Sequence, residues 1–256
     1  MSKIALFSFI KRVLRILAIP LAVYVLLVVG TYLRQRSLLF FPTHLSPSTQ
    51  LTPWRPNGQF MGYCREVTNP RAIWLMMHGN AGQAADRDYV LRRMSDQDSL
   101  YVLEYPGYGS RAGSPGMGSM NQAASEAYQI LRSQNPGKPV CALGESIGSG
   151  PACSLAQEKM APDKIVLVVP FDTLASVASE QFWFLPVRLL LRDRWDNIEA
   201  LKHYSGPVAV YGAESDSIIG IRHAKNLAAH ISNAAFTAIS GGHNDWSDNA
   251  DVRIVP

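Results

Sequence analysis

The chain has 256 residues, room for one catalytic-size domain plus an appendage, with 47% hydrophobic and 17% charged residues. Its net charge of +4 is local. Lys3, Lys11, Arg12, Arg15, Arg34 and Arg36 precede residue 37 without an acidic partner; taking these six from 24 basic residues leaves 18 against 20 acidic, net −2. The basic balance belongs to the leader, so the remaining chain carries no electrostatic footprint for nucleic acid.

Residues 16–33 form an uncharged, mostly apolar run of 18 residues. As a helix it covers roughly 27 Å, close to a bilayer core. Four basic residues before it and two after favour a cytoplasmic N-terminus and an exported domain. The alternative is a cleaved signal peptide with Val28-Val29-Gly30 as the cleavage site, but the run exceeds a usual signal core. The expected partition is a basic flank and transmembrane signal-anchor over 1–36 and a catalytic domain over 37–256.

Residues 38–41 read as a segment that begins the sheet, 44–57 as a Pro/Ser/Thr-rich loop, and 59–67 as an early antiparallel strand. Strands are then expected at 73–77, 100–104, 140–143, 165–169, 208–211 and 236–239. Helices are expected at 84–94, 120–133, 146–159 and 222–230. This alternation predicts an α/β fold with a mainly parallel sheet flanked by helices. Residues 173–204 hold Phe182-Trp183-Phe184-Leu185 and form either a small cap or, as the favoured reading, a helix packing its apolar side on the sheet, broken at Pro186. Cys64, Cys141 and Cys153 have no metal-like spacing and read as small buried residues, with a disulfide at Cys64 left open.

Chemistry enters at Gly144-Glu145-Ser146-Ile147-Gly148, between a strand and a helix. A serine on such a turn has its Oγ pushed into the open. Its hydroxyl is a poor nucleophile unless an imidazole takes the proton and a carboxylate orients that imidazole. His243 follows the last strand, and Asp216 follows the strand before it. Glu214 and Asp172 are rival carboxylates, whereas Asp245 is too near His243 to reach its ring. The order Ser146, Asp216, His243 matches neither chymotrypsin nor subtilisin. There is no P-loop, dinucleotide fingerprint or zinc spacing, so no cofactor and no metal are implied.

His78-Gly79-Asn80-Ala81-Gly82, Glu104-Tyr105-Pro106-Gly107-Tyr108-Gly109, Gly144-Glu145-Ser146-Ile147-Gly148 and Gly242-His243-Asn244 together resemble the α/β-hydrolase superfamily. More narrowly they are similar to its membrane-anchored branch, ABHD-type and serine aminopeptidase-like hydrolases. The resemblance covers about residues 37 to 247. It implies catalytic Ser146, Asp216 and His243, and an oxyanion hole from the N–H groups of Asn80 and Ile147. It implies a serine hydrolase cleaving an ester or thioester through an acyl-enzyme. Alternatives are a peptidase or amidase, or a non-catalytic binding protein of the same fold. The substrate would be a small-molecule, lipid-like or peptide acyl compound, met at a membrane through the N-terminal helix. Relatives usually continue into a helix after the histidine; here thirteen residues follow it, so apolar sheet surface is expected to be exposed or covered another way.

Overall fold

The computed structural model describes residues 3–46 and 48–256. It opens with α1, Lys3–Leu39, a helix of 37 residues containing Pro20. Within it Arg15–Leu39 is long and apolar enough to cross a membrane, with a mean hydropathy of 2.4. Residues 38–41 do not begin the sheet. The helix runs on through Leu39, and Phe40 is buried edge-on against Trp195.

The strands follow as β1 (Thr52–Trp54), β2 (Gly62–Arg65), β3 (Ile73–Met77), β4 (Ser99–Leu103), β5 (Val140–Glu145), β6 (Ile165–Val168), β7 (Val208–Ala213) and β8 (Ala234–Ile239). They make one sheet in the order β1-β2-β4-β3-β5-β6-β7-β8. β1 and β2 are antiparallel to their neighbours; β3 to β8 are parallel throughout. β1 lies inside the stretch expected to be a loop; its pairing with β2 from Thr52 to Trp54 overrides the local Pro and Thr content.

The apolar runs become parallel strands because both faces of the sheet are covered, so neither face needs polar residues. Alternate side chains of β3 serve two cores. Ile73, Leu75 and Met77 enter one with α2 (Met117–Gln134), α3 (Ser149–Ser154) and α7 (Ile221–His230). Trp74 and Met76 enter the other, under a 3-10 helix over Ala84–Arg93, where a helix was expected. That second face is also where sheet surface was expected to lack a helix. Trp246, Val252 and Ile254 cover it, and the Ile254 N–H donates to the Arg93 carbonyl.

Between β6 and β7 lie α4 (Leu174–Gln181), α5 (Val187–Leu190) and α6 (Asn197–Leu201). The expectation that Phe182 to Leu185 packs on the sheet is overturned. Trp183 is 81% exposed and Leu189 79%, and this cap lies against α1 instead. The Tyr24 hydroxyl donates to the Phe184 carbonyl at 2.9 Å, and Gln35 bonds the Leu190 carbonyl and the Arg192 N–H. Arg36 forks onto the buried Asp193 carboxylate at 3.0 and 3.1 Å.

Candidate active site

β5 ends at Glu145, and the chain turns at once into a short helical segment. Ser146 sits at the corner with φ +53°, a backbone region that L-residues rarely adopt. The flanking glycines permit it. A Cβ on Gly148 would meet the Met77 carbonyl oxygen at 2.1 Å, and one on Gly144 would meet Ala152 and Ser149 at 2.8 Å. The turn closes only where side chains are absent.

The loops after β7 and β8 bring the partners to this corner. His243 Nε2 lies 2.8 Å from Ser146 Oγ, and its Nδ1 lies 2.7 Å from Asp216 Oδ2. The other Asp216 oxygen accepts the N–H groups of Ile218 and Ile219, both at 2.8 Å. With these acceptors fixed, Nδ1 carries the ring proton toward Asp216 and Nε2 is left to accept from Ser146. Of the rival carboxylates, Asp172 is engaged elsewhere, bonded to His223. The three residues expected to be catalytic are therefore together.

The two expected oxyanion donors are placed differently. Ile147 is the second residue of the helical segment Ser146–Gly148, in the first turn, where N–H groups lack intrahelical partners. Asn80 follows β3, and its side chain is tied away from the pocket. Its Oδ1 accepts from the Phe41 N–H and the Tyr108 hydroxyl, and its Nδ2 donates to the Leu39 carbonyl at 2.5 Å. Only its backbone N–H is left for an oxyanion. His78 is buried against Tyr105 and Tyr108, a structural part of the same loop.

Sequence reasoning passed over two groups. Glu145 filled a variable position of the serine motif, yet its buried carboxylate accepts the Gly79 N–H at 2.7 Å, the Tyr89 hydroxyl at 2.6 Å and the Trp246 indole at 2.9 Å. Arg87 stands 3.5 Å away. Burial favours the protonated form, but Arg87 and these donors outweigh it and hold the carboxyl below the usual range. A charge in an otherwise apolar strand was the available signal. The other is His223, which bridges Asp172 at 2.8 Å and Glu180 at 3.0 Å. Nothing local in the sequence pairs these positions. Cys64, Cys141 and Cys153 are buried and unpaired, so none forms a disulfide.

The chain is similar to several known proteins. A protein of Mycobacterium tuberculosis with no assigned function is 27% identical over 95% of this chain and 92% of its own length. The lysophosphatidylserine lipase ABHD12 of Mus musculus is 25% identical over 72% of this chain, which spans about half of that protein, 51%. The Pyrococcus furiosus esterase Pf2001 superposes with a TM-score of 0.60 at 12% identity, over 82% of this chain and 95% of its own. That likeness shows the α/β-hydrolase fold. The family model for serine aminopeptidase, S33, matches residues 68–195, from the approach to β3 through the serine turn and most of the cap. The chain belongs to that family, and it is an enzyme of the α/β-hydrolase type.

Proposed function

We propose that this serine hydrolase cleaves an ester or thioester at a membrane, through an acyl-enzyme on Ser146. The observation that carries the reading is the relay of 2.8 and 2.7 Å from Ser146 through His243 to Asp216. Ser146 Oγ bonds to the substrate carbonyl carbon while its proton passes to His243 Nε2. The carbonyl electrons move to oxygen, which faces the N–H groups of Asn80 and Ile147. Collapse expels the alcohol or thiol, which takes the proton from Nε2. Water then repeats the cycle and releases the acid and free serine. Asp216, held by two backbone N–H groups, keeps the imidazole in the productive tautomer.

Two observations favour a lipid-like substrate. α1 is long and apolar enough to span a bilayer, and one relative is a lysophosphatidylserine lipase. In this reading α1 anchors the protein, residues 37–256 form the catalytic domain, and that domain lies on the exported side. The family description, serine aminopeptidase, favours a second reading, cleavage of an amide. A panel of acyl esters against aminoacyl amides separates the two by kcat/KM.

The direct test is fluorophosphonate labelling of the full-length protein with mass spectrometry of the modified peptide. Wild type is expected to label on Ser146. Ser146→Ala is expected to lose labelling and turnover while keeping its melting temperature. An adduct that persists in the variant would remove Ser146 as nucleophile.

A further inference from the structure

Two ties fix the height of the cap along α1. The Phe184 carbonyl accepts from the Tyr24 hydroxyl, while the Leu190 carbonyl and the Arg192 N–H both bond the Gln35 amide. Roughly 16 Å of helix separates Tyr24 from Gln35. Both lie within Arg15–Leu39, the stretch long and apolar enough to cross a bilayer. The part of the cap from Phe184 to Arg192 therefore runs beside the apolar rod instead of beyond its end. What it turns outward there is also apolar. Trp183 and Leu189 are largely exposed, and Phe182 and Phe184 are half-exposed. Leu26 and Leu33 of α1 are exposed too, so an apolar face continues from the helix onto the domain. A face of this kind marks an interaction surface.

The backbone and the charges say what it meets. In hydrocarbon, polar backbone groups must be paired within the protein. Along this segment side chains take the carbonyls: Tyr24 that of Phe184, Gln35 that of Leu190, and Arg194 those of Leu189 and Leu191. The N–H groups of Leu185, Val187, Leu189 and Leu191 donate to carbonyls of the segment itself, and Pro186 has no N–H. A loop facing water needs no such provision. Residues 182–192 hold no acidic side chain. Arg34 follows the apolar run of α1, and the Arg192 guanidinium lies over the Tyr32 ring near the same level. Arg188 has a stem that can lie along apolar surface and bring its charge to that level. Apolar side chains toward Tyr24 and cations toward Gln35 reproduce the order of hydrocarbon and phosphate in a leaflet.

We propose that the cap is a second membrane-binding surface, with Trp183 and Leu189 in the hydrocarbon of the leaflet beside the catalytic domain and Arg34 and Arg192 at its phosphates. The proposal rests on the anchoring of α1 read above and is independent of the acyl transfer. A single helix leaves a domain free to turn about the helix axis. A second contact removes that freedom and fixes which side of the domain faces the lipid.

The test reads tryptophan fluorescence of the whole chain in vesicles of phosphatidylcholine and phosphatidylglycerol, with and without lipid carrying a nitroxide on its acyl chain. Trp54, Trp74, Trp195 and Trp246 are buried, so Trp183 is the indole open to the quencher. The expected result is quenching by the nitroxide lipid in wild type, lost in Trp183→Phe, and restored when Leu189→Trp is added to that variant. Quenching of Trp183 by aqueous iodide instead would place the cap in water and overturn the proposal. Protection from both quenchers would mean that protein, such as a second copy, covers the face, and would overturn it equally. A carbonate wash that leaves the chain in the vesicles keeps the anchor reading intact in either case. Release by carbonate would sink the anchor and the proposal together.

Discussion

Glu145 joins three pieces of chain that must agree for the proposed oxyanion site to form: the strand end before Ser146, the Gly79 N–H, and the Trp246 indole beyond His243. Tyr89 stays protonated to donate here; burial first and then the Glu145 charge push its phenol up. Glu145→Gln keeps the shape but turns an amide N–H₂ toward one of these donors. Gly79 should shift, and with it the neighbouring Asn80 N–H. The expected outcome is a fall in kcat of about tenfold or more, short of losing a whole oxyanion donor, with little change in KM. A merely structural role would lower the melting temperature and leave kcat per folded molecule alone. Because the folded pKa of Glu145 is depressed, its stabilisation is present above the unfolded carboxylate pKa and lost as pH falls through the folded value. The grouping of Ser146, Asp216 and His243 was legible because the proposed chemistry fixes residue type, order and position after strands. Glu145 was not, because its work depends on partners over 50 residues away in each direction.

The elements differ in how far sequence foretold them. β3 to β7 were legible because a parallel strand buried on both faces is a continuous apolar run. β1 was hidden because three residues pair only when β2 is there to receive them. The cap was misread because Phe182 to Leu185 look like core; the surface they answer is α1, about 150 residues earlier. A buried cluster helps tie the cap to the domain. His223 on α7 lies between Asp172 after β6 and Glu180 on α4, with Arg222 also paired to Glu180 and Asn226 bonded to Asp172. The Asp172 hydrogen bond, against burial and with help from Glu180, raises the His223 pKa. Its stabilisation is therefore complete below the unfolded histidine pKa of about 6.5 and fades as pH rises through the higher folded value. The melting temperature of wild type should fall as pH rises above about 6.5. That of His223→Gln should be flatter over the same range. Parallel curves would show that the bridge is neutral throughout.

At the scale of the whole molecule, α1 and the domain share interactions that cross residue 36. Asp193 is buried and serves two elements, pairing with Arg36 and accepting the Met117 N–H at the start of α2. Arg36→Ala would leave that carboxylate with its helix-capping contact alone. The expected cost is about 1–2 kcal/mol, less than for a fully enclosed pair because Arg36 is half-exposed. Chemical denaturation in detergent reads it, and Asp193→Asn combined with Arg36→Ala should recover part of the loss. No difference between Arg36→Ala and wild type would mean the pair is screened by solvent. Asn80 gives the shared structure a further meaning. Its side chain holds the Leu39 carbonyl and the Phe41 N–H, on either side of the point where α1 ends. Tyr24 is fifteen residues away, about 22 Å up the same rigid rod. A rod that tilts to match a thicker or thinner bilayer swings its end where Asn80 grips it. On the proposed reading, with α1 a bilayer anchor and Asn80 an oxyanion donor, bilayer thickness becomes a coordinate of the reaction, and the surrounding lipid acts on the rate through a lever whose short arm is one asparagine.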